Sequence, residues 1–431
     1  MKTTLILSTI VLALVFTGCN KDDEGEMKTA SMFKVTIENV MVEKDFLYSD
    51  VFNTPVGATE PGGAGPGNSY QFSFDAGPGS KLSFATMFVA SNDLYYAPTG
   101  EGIELFDGGT PINGNITSQV MLYDAGTELN EEPGNGPNQP LNGGPGVGTA
   151  ENGTVQDIST VNDGFTYPLV SENIMVTIEN DGATHFTLTI KNLESSTTPI
   201  APGVWVVHST DNPLFEVGMA DFGSGLKGLA EDGDPSGLAG HLDMNSGYVS
   251  PLAPGAWAVH SPDVSPIFMS NTSDLGEGLE DLAENGDPSG LAGSLDSKSG
   301  VISSGAFNTP SGASGPGPLL PGSSYEFTFD AVEGDYLSFA TMLVHTNDLF
   351  FSPTEMGIAL FSGGTAISGD ITTKVMLYDA GTEINELPGV GIHQPARLNG
   401  GMDENGLVRT VDDMFTYPAV SSAVKITITP M

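Results

Sequence analysis

Ser69-Tyr-Gln-Phe-Ser-Phe-Asp-Ala76 alternates apolar and polar side chains, and the pattern returns as Ser324-Tyr-Glu-Phe-Thr-Phe-Asp-Ala331. A period of two is that of a strand with one buried face. The same alternation runs through Phe33-Lys-Val-Thr-Ile-Glu-Asn39, Phe186-Thr-Leu-Thr-Ile-Lys-Asn192 and Val424-Lys-Ile-Thr-Ile-Thr429. Clusters of Gly, Pro, Asn and Asp bound these runs, as turns between antiparallel strands require. The chain holds 56 Gly and 29 Pro, and Glu132 to Gly153 reads as long loop. These features predict an all-β fold.

The repeat extends far beyond one strand. Leu82-Ser-Phe-Ala-Thr-Met87 recurs as Leu337-Ser-Phe-Ala-Thr-Met342. Val120-Met-Leu-Tyr-Asp-Ala-Gly-Thr-Glu128 recurs as Val375-Met-Leu-Tyr-Asp-Ala-Gly-Thr-Glu383. A second, shorter duplication lies between the copies. Ala201-Pro-Gly-Val-Trp-Val-Val-His208 matches Ala253-Pro-Gly-Ala-Trp-Ala-Val-His260. Gly228-Leu-Ala-Glu-Asp-Gly-Asp-Pro-Ser-Gly-Leu-Ala-Gly240 aligns with Asp281-Leu-Ala-Glu-Asn-Gly-Asp-Pro-Ser-Gly-Leu-Ala-Gly293. The Leu226-x-x-Leu229-Ala230 and Leu279-x-x-Leu282-Ala283 spacings predict short helices ended by Gly233 and Gly286. The linear reading is a leader at residues 1–18, a flexible tether at 19–31, a shortened sandwich at 32–180, and a second at 181–431. That second sandwich would contain an internal duplication, 200–245 and 252–298, and with it the short helices.

The acidic balance is extreme: 54 Asp and Glu against 13 Lys and Arg, a formal net charge of −41. Nucleic acid is therefore not an expected partner, because its binding runs on Lys and Arg neutralising phosphates. Cations are attracted, although such acidity also serves plain solubility. Lys2, the apolar run Leu5 to Phe16, and Thr17-Gly18-Cys19 read as a leader too short to span a membrane. Cys19 is the sole cysteine, so no disulfide forms within the chain. Its position resembles a bacterial lipobox, with Phe16 in place of the usual Leu or Val; an ordinary secretory signal with a chance Cys is the alternative. Lys21-Asp22-Asp23-Glu24 resembles the signal that sends Bacteroidetes lipoproteins to the cell exterior. The expected location is the outer membrane, held by lipid on Cys19.

The ordered set Pro-Gly-x-Trp-x-x-His, Leu-Ala-Glu-x-Gly-Asp, Leu-Ser-Phe-Ala-Thr-Met, Asn-Asp-Leu and Asp-Ala-Gly-Thr-Glu resembles the bacterial branch of the spondin N-terminal domain family. It covers nearly all of residues 183 to 431, while the stretch 32 to 180 lacks the Leu-Ala-Glu piece. The resemblance implies two tandem C2-like antiparallel β-sandwiches with bound Ca2+, a type of domain found in animal matrix and adhesion proteins. It implies metal ligands at Asp93, Asp124 and Glu128 and again at Asp348, Asp379 and Glu383. The final Glu departs from the Asp common in the animal proteins. On spacing alone the simpler reading is turn carboxylates that accept local backbone bonds. Calcium takes about six to eight oxygen ligands, which loop carboxylates supply.

Other motifs point less far. Asp232-Gly-Asp234-Pro-Ser236-Gly237 and its counterpart Asn285-Gly-Asp287-Pro-Ser289-Gly290 imitate an EF-hand loop. Yet the proline suits the start of another short helix better. His208 and His260 read as structural, and Trp205 and Trp257 as packing between sheets. There is no HExxH, GxSxG, CxxC or P-loop motif. The expectation is a non-enzymatic, calcium-binding adhesion module that holds an extracellular glycan or protein. The alternatives are an extracellular polymer hydrolase and a structural envelope protein.

Overall fold

The structure, a computed structural model, describes residues 29–144 and 148–431. The leader, Cys19 and most of the expected tether lie outside the described residues. Strands hold 35% of the chain and helices 12%, all sheets are antiparallel, and the fold is an all-β sandwich. Two sandwiches are present, each pairing a four-stranded sheet with a seven-stranded one.

The chain does not build them one after the other. Strand Ser31–Asn39 lies between Ser324–Ala331 and Val424–Pro430, with Val35 opposite both Phe327 and Ile428. Its counterpart, His185–Asn192, lies between Ser69–Asp75 and Ile174–Asn180. The Trp205 strand, Ile200–His208, pairs with Phe46–Phe52 and Lys81–Phe88. The Trp257 strand, Leu252–His260, pairs with Val301–Phe307 and Tyr336–Leu343. Sandwich 1 is thus built from residues 46–245, and sandwich 2 from 31–39 together with 249–431. The chain lays one strand of sandwich 2, completes all of sandwich 1, then returns.

This corrects the division into 32–180 and 181–431. The supposed internal duplication is one segment per sandwich, and neither sandwich is shortened. Phe33–Asn39 and Phe186–Asn192 carry the same alternation, so pattern alone leaves open which sheet each completes. Long-range ladders and buried faces decide it. In each case a buried Asn closes the strand. The Asn39 amide donates to Ser250 O and Leu319 O, both at 3.0 Å. The Asn192 amide donates to Ala64 O at 2.9 Å and Thr198 O at 2.8 Å.

Between the sheets lies an aromatic core. Trp205 stacks on Phe72 with centroids 5.4 Å apart, and Trp257 stacks on Phe327 at 5.3 Å. Both tryptophans therefore pack between the sheets, as expected. The outer face of each large sheet is covered by two short helices. Leu226–Asp232 and Ser236–Asn245 cover Ala85, Val204 and Val206 of sandwich 1. Leu279–Asn285 and Ser289–Ser297 cover Ala256, Ala258 and Ala340 of sandwich 2. Covered on both faces, Lys81–Phe88 and Tyr336–Leu343 are buried along nearly their whole length. The EF-hand imitations are the turns between these helices. Asp234 and Asp287 each accept a backbone bond, from Ser236 N and Ser289 N, at 2.9 Å.

The sandwiches meet at a small seam. Arg397 of sandwich 2 donates to Pro78 O of sandwich 1 and to its own Gly389 O. Gly77 fits against the Val390 carbonyl, where a Cβ would lie 2.1 Å away.

The exchanged strand yields a direct test. Phe33 is fully buried and stacks on Phe329 at 5.6 Å. Phe33→Ala should cost about 3–5 kcal/mol. By hydrogen exchange, protection should fall in 324–331 and 424–430 and persist in 69–75 and 174–192. Loss confined to the second pair of segments would refute the exchanged topology.

Candidate metal centre

Six expected ligands gather as two matched sets, one per sandwich. Asp93 immediately precedes strand Leu94–Pro98, and Asp124 ends its neighbour Val120–Asp124, with Leu94 opposite Asp124. The chain then turns at Gly126, whose φ is +67°. A Cβ there would approach Thr154 N to 2.7 Å, so the turn requires glycine. Asp348, Asp379 and Gly381 (φ +69°) repeat this geometry.

One oxygen of the first aspartate holds the turn. Asp93 Oδ2 accepts from Thr127 N at 2.7 Å, Thr127 Oγ1 at 3.2 Å and Glu128 N at 2.9 Å. Asp348 Oδ2 accepts the same three donors, from Thr382 and Glu383. The other oxygen, Asp93 Oδ1 or Asp348 Oδ1, is buried with no hydrogen bond. Asp124 Oδ1 accepts from Gly126 N at 2.6 Å, and Oδ2 from Asn130 Nδ2 at 2.7 Å. Both first aspartates are fully buried. Burial, then the charge of the neighbouring aspartate, pushes Asp93 and Asp348 up to about 7. Burial also raises Asp124 and Asp379.

A further carboxylate comes from the helices in each set, and the sequence reading did not single it out. Glu231 is buried and its Oε1 has no hydrogen bond, with the Lys227 ammonium 3.6 Å away. Burial, then Glu231, raises the Glu128 carboxyl. Burial, with Glu383 among the charges that follow, brings the matching Glu284 up to about 7. The signal was present: both are the Glu of the repeated Leu-Ala-Glu. What was hidden is that residues 226–232 fold back onto the strands of the first copy.

The donor chemistry fits a hard cation. It is all oxygen, concentrated, and in each sandwich includes a buried aspartate oxygen without a hydrogen bond. The set is not closed. Among the described residues no three His, Cys, Asp or Glu stand as a preformed ligand group. Asp124 and Asp379 turn both oxygens to local donors. An ion would have to draw these carboxylates toward Asp93 Oδ1 or Asp348 Oδ1.

His208 and His260 are bound within the sheets. Their Nε2 atoms meet Ser83 Oγ and Ser338 Oγ at 2.9 Å, and their Nδ1 atoms meet backbone carbonyls. Burial lowers His208 to about 4, which keeps it neutral. Both rings serve as structural links between strands.

The chain matches no protein-family model and no curated protein.

The raised aspartates set a pH dependence. Between about 4 and about 7 the folded state holds protons on Asp93 and Asp348 that the unfolded state has lost. Stability of the cation-free protein should therefore fall as pH rises through that window. His208 acts in the opposite sense, because its lowered value makes folding weaken as pH falls below its ordinary 6.5. Comparison with Asp93→Asn/Asp348→Asn isolates the aspartates. In chelator, the fall in melting temperature between pH 5 and pH 8 should be clearly shallower in the variant, with the share due to the raised Glu284 remaining. A variant whose profile parallels the parent would remove the aspartates as its cause.

Proposed function

We propose that this protein is a calcium-binding, cell-surface adhesion or binding module, lipid-anchored through Cys19. The observation that carries the calcium reading is the buried aspartate pair with one unpartnered oxygen, repeated at equivalent positions of both sandwiches. Two adjacent buried carboxylates repel unless a proton or a cation intervenes. A divalent ion would relieve that repulsion and tie the strand ends to the Ala-Gly-Thr turn. Asp93, Asp124, Glu128 and the added Glu231 would hold it in sandwich 1. Asp348, Asp379, Glu383 and Glu284 would do so in sandwich 2. The resemblance to spondin N-terminal domains supports the same ion and an extracellular binding role. The ligand we propose is a glycan or protein outside the cell, with two sandwiches on one chain adding avidity.

Thermal unfolding of residues 31–431 in calcium and then in excess chelator tests this. Ion that binds only the folded state stabilises it by about 2.7 kcal/mol at a concentration 100 times its dissociation constant. The melting temperature should rise with calcium, and more at pH 8 than at pH 5.5, because the ligands must be ionised. Asp93→Asn, Asp124→Asn, Asp348→Asn and Asp379→Asn together should abolish the rise. No calcium effect in the parent would remove the ion from the proposal.

A further inference from the structure

The two centres have equivalent frameworks and unequal charge. Opposite Asp379 on the neighbouring strand stands Arg409, and opposite Asp124 stands Gln156. Arg409 Nη2 meets Asp379 Oδ2 at 2.9 Å and Glu404 Oε1 at 3.2 Å. The match to Glu404 in sandwich 1 is Glu151, since each donates its N–H to the threonine carbonyl of the turn, Thr382 or Thr127. No cation pairs with Glu151 or Asp124 among the ion pairs of the described residues. Asp124 is answered only by neutral donors, Gly126 N and the Asn130 amide.

The surrounding groups sharpen the difference. In sandwich 2, His393 Nδ1 meets Glu386 Oε1 at 2.8 Å, and Asn138 takes that position beside Glu131 in sandwich 1. The Asn347 amide reaches Glu383 at 3.4 Å and accepts from Glu386 N at 3.0 Å. Both polar atoms of its counterpart Asn92 lack a hydrogen bond, although the amide lies near enough to Glu128 to oppose the rise of that carboxyl. Only on the helix does the balance reverse, where Lys227 faces Glu231 and Glu280 takes the matching place beside Glu284. Lys227 is 56% exposed and stands 3.6 Å from Glu231, not at the aspartate pair, so water screens its charge from that pair.

We infer that sandwich 1 is the high-affinity centre for a divalent cation, and that Arg409 supplies part of that charge from within in sandwich 2. The inference rests on the calcium reading above. A guanidinium on Asp379 both neutralises a ligand and repels an incoming cation. Duplication therefore leaves one centre governed by the ion and one partly closed by the chain's own arginine.

Calcium titration by calorimetry on residues 31–431 separates the two claims. Two binding steps are expected, with affinities at least about tenfold apart. Asp124→Asn should remove the tight step, and Asp379→Asn the weak one. Arg409→Gln should tighten the weak step about tenfold, and Gln156→Arg should weaken the tight step by a similar factor. Arg409 is 35% exposed, so its replacement should leave the fold intact, which circular dichroism checks. Equal affinities in the parent, loss of the tight step in Asp379→Asn, or an Arg409→Gln titration identical to the parent's would each overturn the inference while leaving calcium binding in place. Absence of binding in the parent and in Arg409→Gln alike would overturn the calcium reading itself.

Discussion

The side chain of Asn39 does what no apolar residue could do at its position. It is buried, and its amide joins the carbonyls of Ser250 and Leu319, more than two hundred residues away in the chain. This fastens the first described strand to the segment by which the chain returns from sandwich 1. A buried amide left without partners is costly, so the strand is held in one register rather than merely in one sheet. Asn192 repeats the arrangement in the other sandwich. The four-stranded sheet of sandwich 2 depends on this closure. Without Ser31–Asn39, Ser324–Ala331 and Val424–Pro430 would have no strand between them, and Phe33, Val35 and Ile37 would leave the core.

The exchange also has a kinetic side. Sandwich 1 is nearly continuous in sequence, whereas sandwich 2 needs a strand separated from its partners by the whole of sandwich 1. Long-range pairing bears a loop-closure entropy that must be met before its contacts form. Folding sandwich 1 first would bring the ends of that long excursion together, since Gly247 N bonds to Phe46 O at 3.0 Å. The Arg397 and Gly77 contacts then keep the two bodies adjacent.

The carboxylate clusters arise where three layers meet: strand ends, the Ala-Gly-Thr turn, and the helix that covers the sheet. The surroundings hold the acidic groups out of water, and that burial is the first cause of the raised values, with repulsion from the neighbouring aspartate second at Asp93 and Asp348. The same frame carries different charges in the two copies. Arg409 against Gln156 is a change of one residue type on an unchanged ladder, and it alters what the cluster asks of its surroundings.

Much of this was written in the chain. Alternation in Tyr70–Asp75 and its relatives determined strands, because a period of two can bury only one face of a sheet. The carboxylates flanking Ala-Gly-Thr announced the turns, and the three-then-one leucine spacing announced the helices. The tryptophans and histidines also took the structural roles expected of them. Sequence order, however, misplaced the boundary at 180, because Phe33–Asn39 and Phe186–Asn192 are interchangeable as patterns. Only the tertiary structure decided which sheet each strand enters, since that choice rests on hydrogen-bond ladders and buried amides between residues hundreds of positions apart. For the same reason it alone brought Glu231 to the first cluster and set Arg409 beside Asp379.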